Sequence, residues 1–99
     1  MSLDLFTEKV KDIVTKDDNL NYKVKFIFEE GVVYVDGTVK PNIVSNEDNS
    51  ADSSIKMSLE NAHKFLDGNL NSTMAFMMGQ IKVDGSLGVA MKIVKMIEG

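Results

Sequence analysis

Leu3, Phe6, Val10, Ile13 and Val14 recur at intervals of three and four, and this spacing predicts an amphipathic helix over residues 3–16. Asp4 and Glu8 stand early and Lys16 last, which suits the helix dipole. Asp17-Asp18-Asn19 is expected to stop it. The period then shortens to two. Tyr22, Val24, Phe26 and Phe28 alternate with Lys23, Lys25 and Ile27, the pattern of a strand. Two turns compete beyond it. Asp36-Gly37 is the stronger local hairpin signal, but a turn at Glu30-Gly31 leaves two runs of matched length, 21–29 and 32–40. The second choice is preferred, with Gly37 as a bulge or weak point. The polar stretch 41–53 opens on the only proline and reads as a loop, with Ile43-Val44 as a very short extra strand.

Alternation returns over 53–57, with Ile55 and Met57 on one face. Ser58 is placed to cap a helix over 59–67, and Gly68 to end it. Asn71 or Ser72 caps a shorter helix over 73–78, ended by Gly79. Gln80 to Asp84 reads as a strand with Ile81 and Val83 on one face, and Gly85-Ser86 turns into a last helix from Leu87 to about Ile97. The order is helix, strand, strand, loop, strand, helix, helix, strand, helix. It implies an α+β fold, helices covering one face of a mainly antiparallel sheet, in a single domain over residues 1–99.

Charge and composition narrow the function. The net charge is −4, all eleven basic residues are lysine, and aromatics make up 7%. Without arginine forks for base edges or phosphates, nucleic acid is excluded as a partner. The acidic excess lies in residues 1–50, with six lysines against ten acids; residues 51–99 carry five of each. The second half therefore approaches an anionic surface without strong repulsion. Absence of cysteine removes disulfides, thiolate metal sites and a thiol nucleophile. No apolar run has the length of a membrane span, and the first residues, MSLDLFTEKVKD, carry acids where a signal peptide has basic residues. A soluble cytoplasmic protein is expected.

Candidate chemistry is sparse. His63, the sole histidine, has Glu60 and Lys64 nearby on its helix and no strained nucleophile elbow in the chain to serve, so it reads as structural or solvent-facing. The acidic loop 46–52 fails as an EF-hand: counted from Asp48, Ser53 stands at the glycine position and Leu59 at the bidentate glutamate. No metal and no cofactor is expected. Asn71-Ser72-Thr73 matches a glycosylation acceptor but reads as a helix cap. Gly79, Gly85 and Gly88 lack the spacing of a dinucleotide fingerprint. Their plain roles are a helix stop, a turn and a close helix approach. The alternative is an anionic head group received at the start of the last helix.

The methionines alter the picture. Beyond Met1 stand Met57, Met74, Met77, Met78, Met91 and Met96, five of them after residue 70. Methionine fills irregular gaps and lines adaptable apolar sites. In the last helix Leu87, Ala90, Met91, Val94 and Ile97 form one stripe, and Val89, Ile93 and Met96 widen it. A helix that merely covers a sheet needs about 100° of apolar arc. The surplus calls for a ligand, a membrane, another subunit or the N-terminal helix.

Residues 51–93 also carry a family pattern. Ala51-Asp52-Ser53-Ser54-Ile55-Lys56-Met57 resembles the third-strand motif of sterol carrier protein type 2 domains. The pattern continues through Gly68-Asn69-Leu70-Asn71, Ala75-Phe76, Gly79, Ile81-Lys82-Val83, Gly85, Leu87-Gly88 and Ala90-Met91-Lys92. The N-terminal half matches in element order more than in residues. The resemblance implies a five-stranded, largely antiparallel sheet with helices on one side and an apolar tunnel between them. The implied ligands are fatty acids, acyl-CoAs, phospholipids or sterols, bound without covalent chemistry. The expected lining is Ile55, Met57, Phe65, Leu66, Phe76, Met77, Ile81, Val83, Met91 and Val94. The chain ends Met96-Ile97-Glu98-Gly99, without the peroxisomal tripeptide of many eukaryotic members and without a further closing segment, from which an open tunnel is expected. The expected function is non-catalytic lipid binding or transfer by a monomer or weak homodimer in transient contact with membranes. Two alternatives stand beside it: an interaction or dimerisation module built on the last helix, and an enzyme acting on an acyl thioester with His63 as base.

Overall fold

A computed structural model describes residues 2–17 and 19–98. Asp18 and Gly99, named above, lie outside the described residues, as does Met1. The first helix, α1, runs Leu3–Val14, two residues shorter at its end than the periodicity predicts. Ser2 caps its start, its Oγ accepting from the Leu5 N–H at 3.0 Å. Its last carbonyl and that of Asp17 just beyond it are met by a side chain distant in sequence. The Asn42 Nδ2 donates to Val14 O at 2.9 Å and to Asp17 O at 3.0 Å. Such orphan carbonyls need a partner when the helix end is covered.

The hairpin turn lies at Glu29-Glu30, one residue before the expected Glu30-Gly31 and well away from Asp36-Gly37, between β1 (Lys23–Phe28) and β2 (Gly31–Asp36). The second strand stops four residues short of residue 40. Gly37 is not a bulge in it: its N–H donates to Tyr22 O at 2.9 Å, and a Cβ there would lie 2.8 Å from the Leu20 side chain. The chain has already left the ladder where it crosses the start of β1. The extra strand is real: β3, Ile43–Ser45, pairs antiparallel with β2. Next come β4 (Ser53–Lys56), α2 (Leu59–Leu66), α3 (Ser72–Met77), β5 (Lys82–Gly85) and α4 (Leu87–Glu98).

The sheet order is β3-β2-β1-β4-β5. Three of its pairings are antiparallel, but β4 lies parallel to β1, with Val24 opposite Ser53 and Phe26 opposite Ile55. The sheet is therefore mixed. A parallel neighbour needs a long crossover, supplied here by β2, β3 and the loop after them. That loop is tied down: Asp48 pairs with Lys25 at 2.8 Å, and the Asn46 Nδ2 donates to Thr7 Oγ1 at 3.0 Å and to Val32 O at 2.9 Å.

Alternation puts Val24, Phe26, Phe28, Val33, Val35 and Ile55 on the inner face, where all are buried against the helices. Phe6 of α1 meets Phe26 and Phe28 edge-on at 5.4 and 5.2 Å between ring centres. The last helix packs on the sheet beside α1, touching α1, α2, β1, β4 and β5. That placement absorbs its wide apolar arc: Val89, Ala90, Ile93, Val94 and Ile97 are buried, and Met91 and Met96 lie partly buried on the same core.

Candidate functional site

The residues expected to line an apolar tunnel divide into two groups. Ile55 and Met57 come from β4 and its end, Ile81 and Val83 from β5 and the residue before it, Phe65 and Leu66 from α2, and Met91 and Val94 from α4. Strand alternation turns the first four inward, and helical spacing turns the rest onto them. Ile55, Met57, Phe65, Ile81 and Val94 are buried, while Leu66, Val83 and Met91 lie half-buried against the same core. These eight face one apolar interior between sheet and helices. Phe76 and Met77 do not join them, because they lie on the outer side of α3, 37% and 81% exposed.

The interior is occupied by the chain's own side chains, with Phe6, Phe26, Phe65 and Ile93 in its centre. One polar atom faces it without a hydrogen-bond partner among the described residues, the buried Oγ of Ser53 on β4. The residues opposite and after it make a tight corner. Gly85 pairs with Ser53 across the ladder, and a Cβ on Gly85 would come within 2.6 Å of the Asp52 carbonyl oxygen. That same oxygen accepts the Ser86 N–H at 3.1 Å, and Ser86 Oγ accepts from the Val89 N–H at 3.2 Å at the head of α4. The glycine at φ +87° allows β5 to turn directly into the helix.

At one end of the sheet an open groove of about 500 Å³ leads past Met57, within the range of small-molecule sites. Ile27 and Leu59 give it further apolar surface, while Glu30, Glu60, Lys56 and Lys82 bring both signs of charge. Ile27 and Leu59 are absent from the expected lining. Ile27 stands on the outward register of β1, whereas Leu59, the first residue of its helix, is buried with Ala62 and Phe65 in the core. Their shared signal is position: both lie at the end of the sheet where β1 finishes and α2 begins.

His63 is structural. It is buried, with its ring 6.1 Å from that of Phe6 and its Nε2 3.3 Å from Ser2 O. Away from the groove, hydrogen bonds from the Thr38 hydroxyl and amide hold the Asp36 carboxyl below its ordinary value of 3.8, against the opposing effect of burial. No helix among the described residues is long and apolar enough to cross a membrane.

A model of the SCP-2 sterol transfer family matches residues 5–98. No curated protein matches the chain significantly. Solved structures share the architecture. Sterol carrier protein 2 from Yarrowia lipolytica superposes with a TM-score of 0.71 at 20% identity, over 93% of this chain and 76% of its own. Sterol carrier protein domain 2 of Helicoverpa armigera gives 0.74 at 20% identity, over 95% and 83%. The palmitated sterol carrier protein 2-like 2 of Aedes aegypti gives 0.72 at 19% identity, over 100% and 96%. At these identities the likeness is one of fold.

Proposed function

The chain belongs to the SCP-2 sterol transfer family, and from that premise we propose that it binds a fatty acid, acyl-CoA or similar apolar ligand between sheet and helices and carries it in the cytoplasm without covalent chemistry. The observation that carries this reading is the convergence of eight expected lining residues on one apolar interior. The palmitated Aedes aegypti relative makes a sixteen-carbon acid the first ligand to try. Burying such a chain offers roughly 10 kcal/mol at ~0.8 kcal/mol per CH₂, reduced by ordering and association costs. Affinity then needs no catalytic constellation.

Access requires rearrangement, because the interior is full. Met57 and Met91 have the flexible side chains to yield, and α3 is the element to move. Between Asn71 and Met78 only Ser72 and Ala75 are buried, so little holds that helix down. Displaced, it would bring Phe76 and Met77 onto the ligand and complete the proposed lining with Ile55, Met57, Phe65, Leu66, Ile81, Val83, Met91 and Val94. The unpartnered Ser53 hydroxyl is the proposed contact for a polar head.

Titration of the delipidated protein with a fluorescent long-chain fatty acid tests this reading. Binding is expected to saturate at one ligand per chain and to yield to palmitate. Met91→Asp is expected to weaken it roughly tenfold or more, since a carboxylate is costly beside a hydrocarbon tail. A folded protein that takes up no acyl chain would end the reading.

A further inference from the structure

Among the described residues, four of the nine exposed large hydrophobic side chains stand on α3 and its C-cap. Met74, Met77 and Met78 stand at helical spacing and are 60%, 81% and 69% exposed, with Phe76 beside them. The helix meets the rest of the protein through Ala75, 1% exposed, and Ser72, which hydrogen-bonds Glu98. Gly68 and Gly79 bracket the segment at φ +77° and +78°, each in open space. A methionine stripe turned to solvent rather than to the core marks an interaction surface.

The surrounding charges indicate what covers it. Residues 68–81 hold no charged side chain, in a protein with 26% charged residues. Immediately beyond, Lys82 faces Lys56 across the β4–β5 ladder. Like charges directly opposite are unfavourable, and among the described residues neither lysine forms an ion pair. Both border the groove that Gly79 and Gln80 also line; Glu29, Glu30 and Glu60 line it too. An uncharged apolar wedge whose rim carries both lysines and glutamates suits the interface of a zwitterionic bilayer, where apolar faces sink about 5–10 Å. A stable protein interface recruits about 20–30 residues a side, far more than this short helix presents.

We propose that α3 docks the protein on a phospholipid surface by inserting Met74, Met77 and Met78, with Lys82 and Lys56 at the phosphate level. The choice of lipid over protein as the occupant rests on the lipid-carrier reading. Insertion through uncharged side chains makes zwitterionic lipid sufficient. It also puts the movable helix of the ligand site at the membrane.

The test is flotation with phosphatidylcholine vesicles, comparing the protein with its Met74→Ser/Met78→Ser variant. Both residues are exposed and outside the proposed ligand lining, so folding and fatty-acid binding should not change. The parent is expected to float with the vesicles, and the variant to partition about tenfold less. A parent that stays in solution, or a variant that floats equally well, overturns the proposal. So does a dimer in sedimentation that the double substitution dissolves, since the occupant would then be a second copy. Fatty-acid binding without vesicle binding defeats docking alone. Vesicle binding without fatty-acid binding supports docking and counts against the lipid-carrier reading.

Discussion

Ser53 and Gly85 face one another across β4 and β5, and each does what its neighbours could not. Gly85 takes a positive φ where a side chain would collide with the Asp52 carbonyl. Ser53 places a hydroxyl among apolar side chains and leaves it unpartnered. An unsatisfied buried polar group costs about 1–3 kcal/mol, so its removal should not harm the empty protein. Ser53→Ala is expected to leave the melting temperature unchanged or raised. If the hydroxyl holds the ligand's head, the same variant should bind palmitate several-fold more weakly while binding of its methyl ester changes less. Competition titrations would show the difference. A fall in stability with unchanged binding would assign Ser53 to folding. His63 and Asn42 each join parts of the chain far apart in sequence, though Asn42 Oδ1, like Ser53 Oγ, is buried without a hydrogen-bond partner among the described residues.

Among the elements, caps and alternation were legible. Ser58 was expected to cap α2, and its Oγ accepts from the Asn61 N–H at 3.1 Å. Ser58→Ala should lower stability by about 1 kcal/mol, read by chemical denaturation. Asn71 rather than Ser72 caps α3, its side chain accepting from the Met74 N–H at 3.1 Å. The orientation of α3 was not legible. Met74, Met77 and Met78 have the spacing of a core stripe, and nothing in a sequence separates a stripe that meets a core from one that meets a membrane. For α4 the breadth of the apolar arc was visible, but its partners were not. It is absorbed by α1, α2 and the sheet, which leaves little of it for the dimerisation alternative.

For the molecule as a whole, the interior that packs so well without a ligand is also the interior proposed to receive one. A ligand that binds only the folded chain adds to stability according to its free concentration. At one hundred times the dissociation constant the gain is about 2.7 kcal/mol. For a chain of 99 residues this should raise the melting temperature by roughly 10–20 °C. Calorimetry with and without palmitate would measure it. No shift at a saturating concentration would mean that the acid does not enter the folded state.

Sequence alone determined the nine elements, the inward register of the strands and the absence of a thiol or EF-hand site, because period, turn residues and composition are local properties. The motif run from Ala51 to Lys92 indicated the family, which the match over residues 5–98 supports independently. The tertiary structure decided the rest. It alone put β4 parallel to β1, since strand direction depends on where a crossover lands. It joined Asn42 to the end of α1 across 28 residues, and brought Lys56 opposite Lys82. It also turned α3 outward. Periodicity shows that a helix has an apolar side, but which way that side faces depends on the surfaces available when the chain folds, and here α4 and the sheet are already filled.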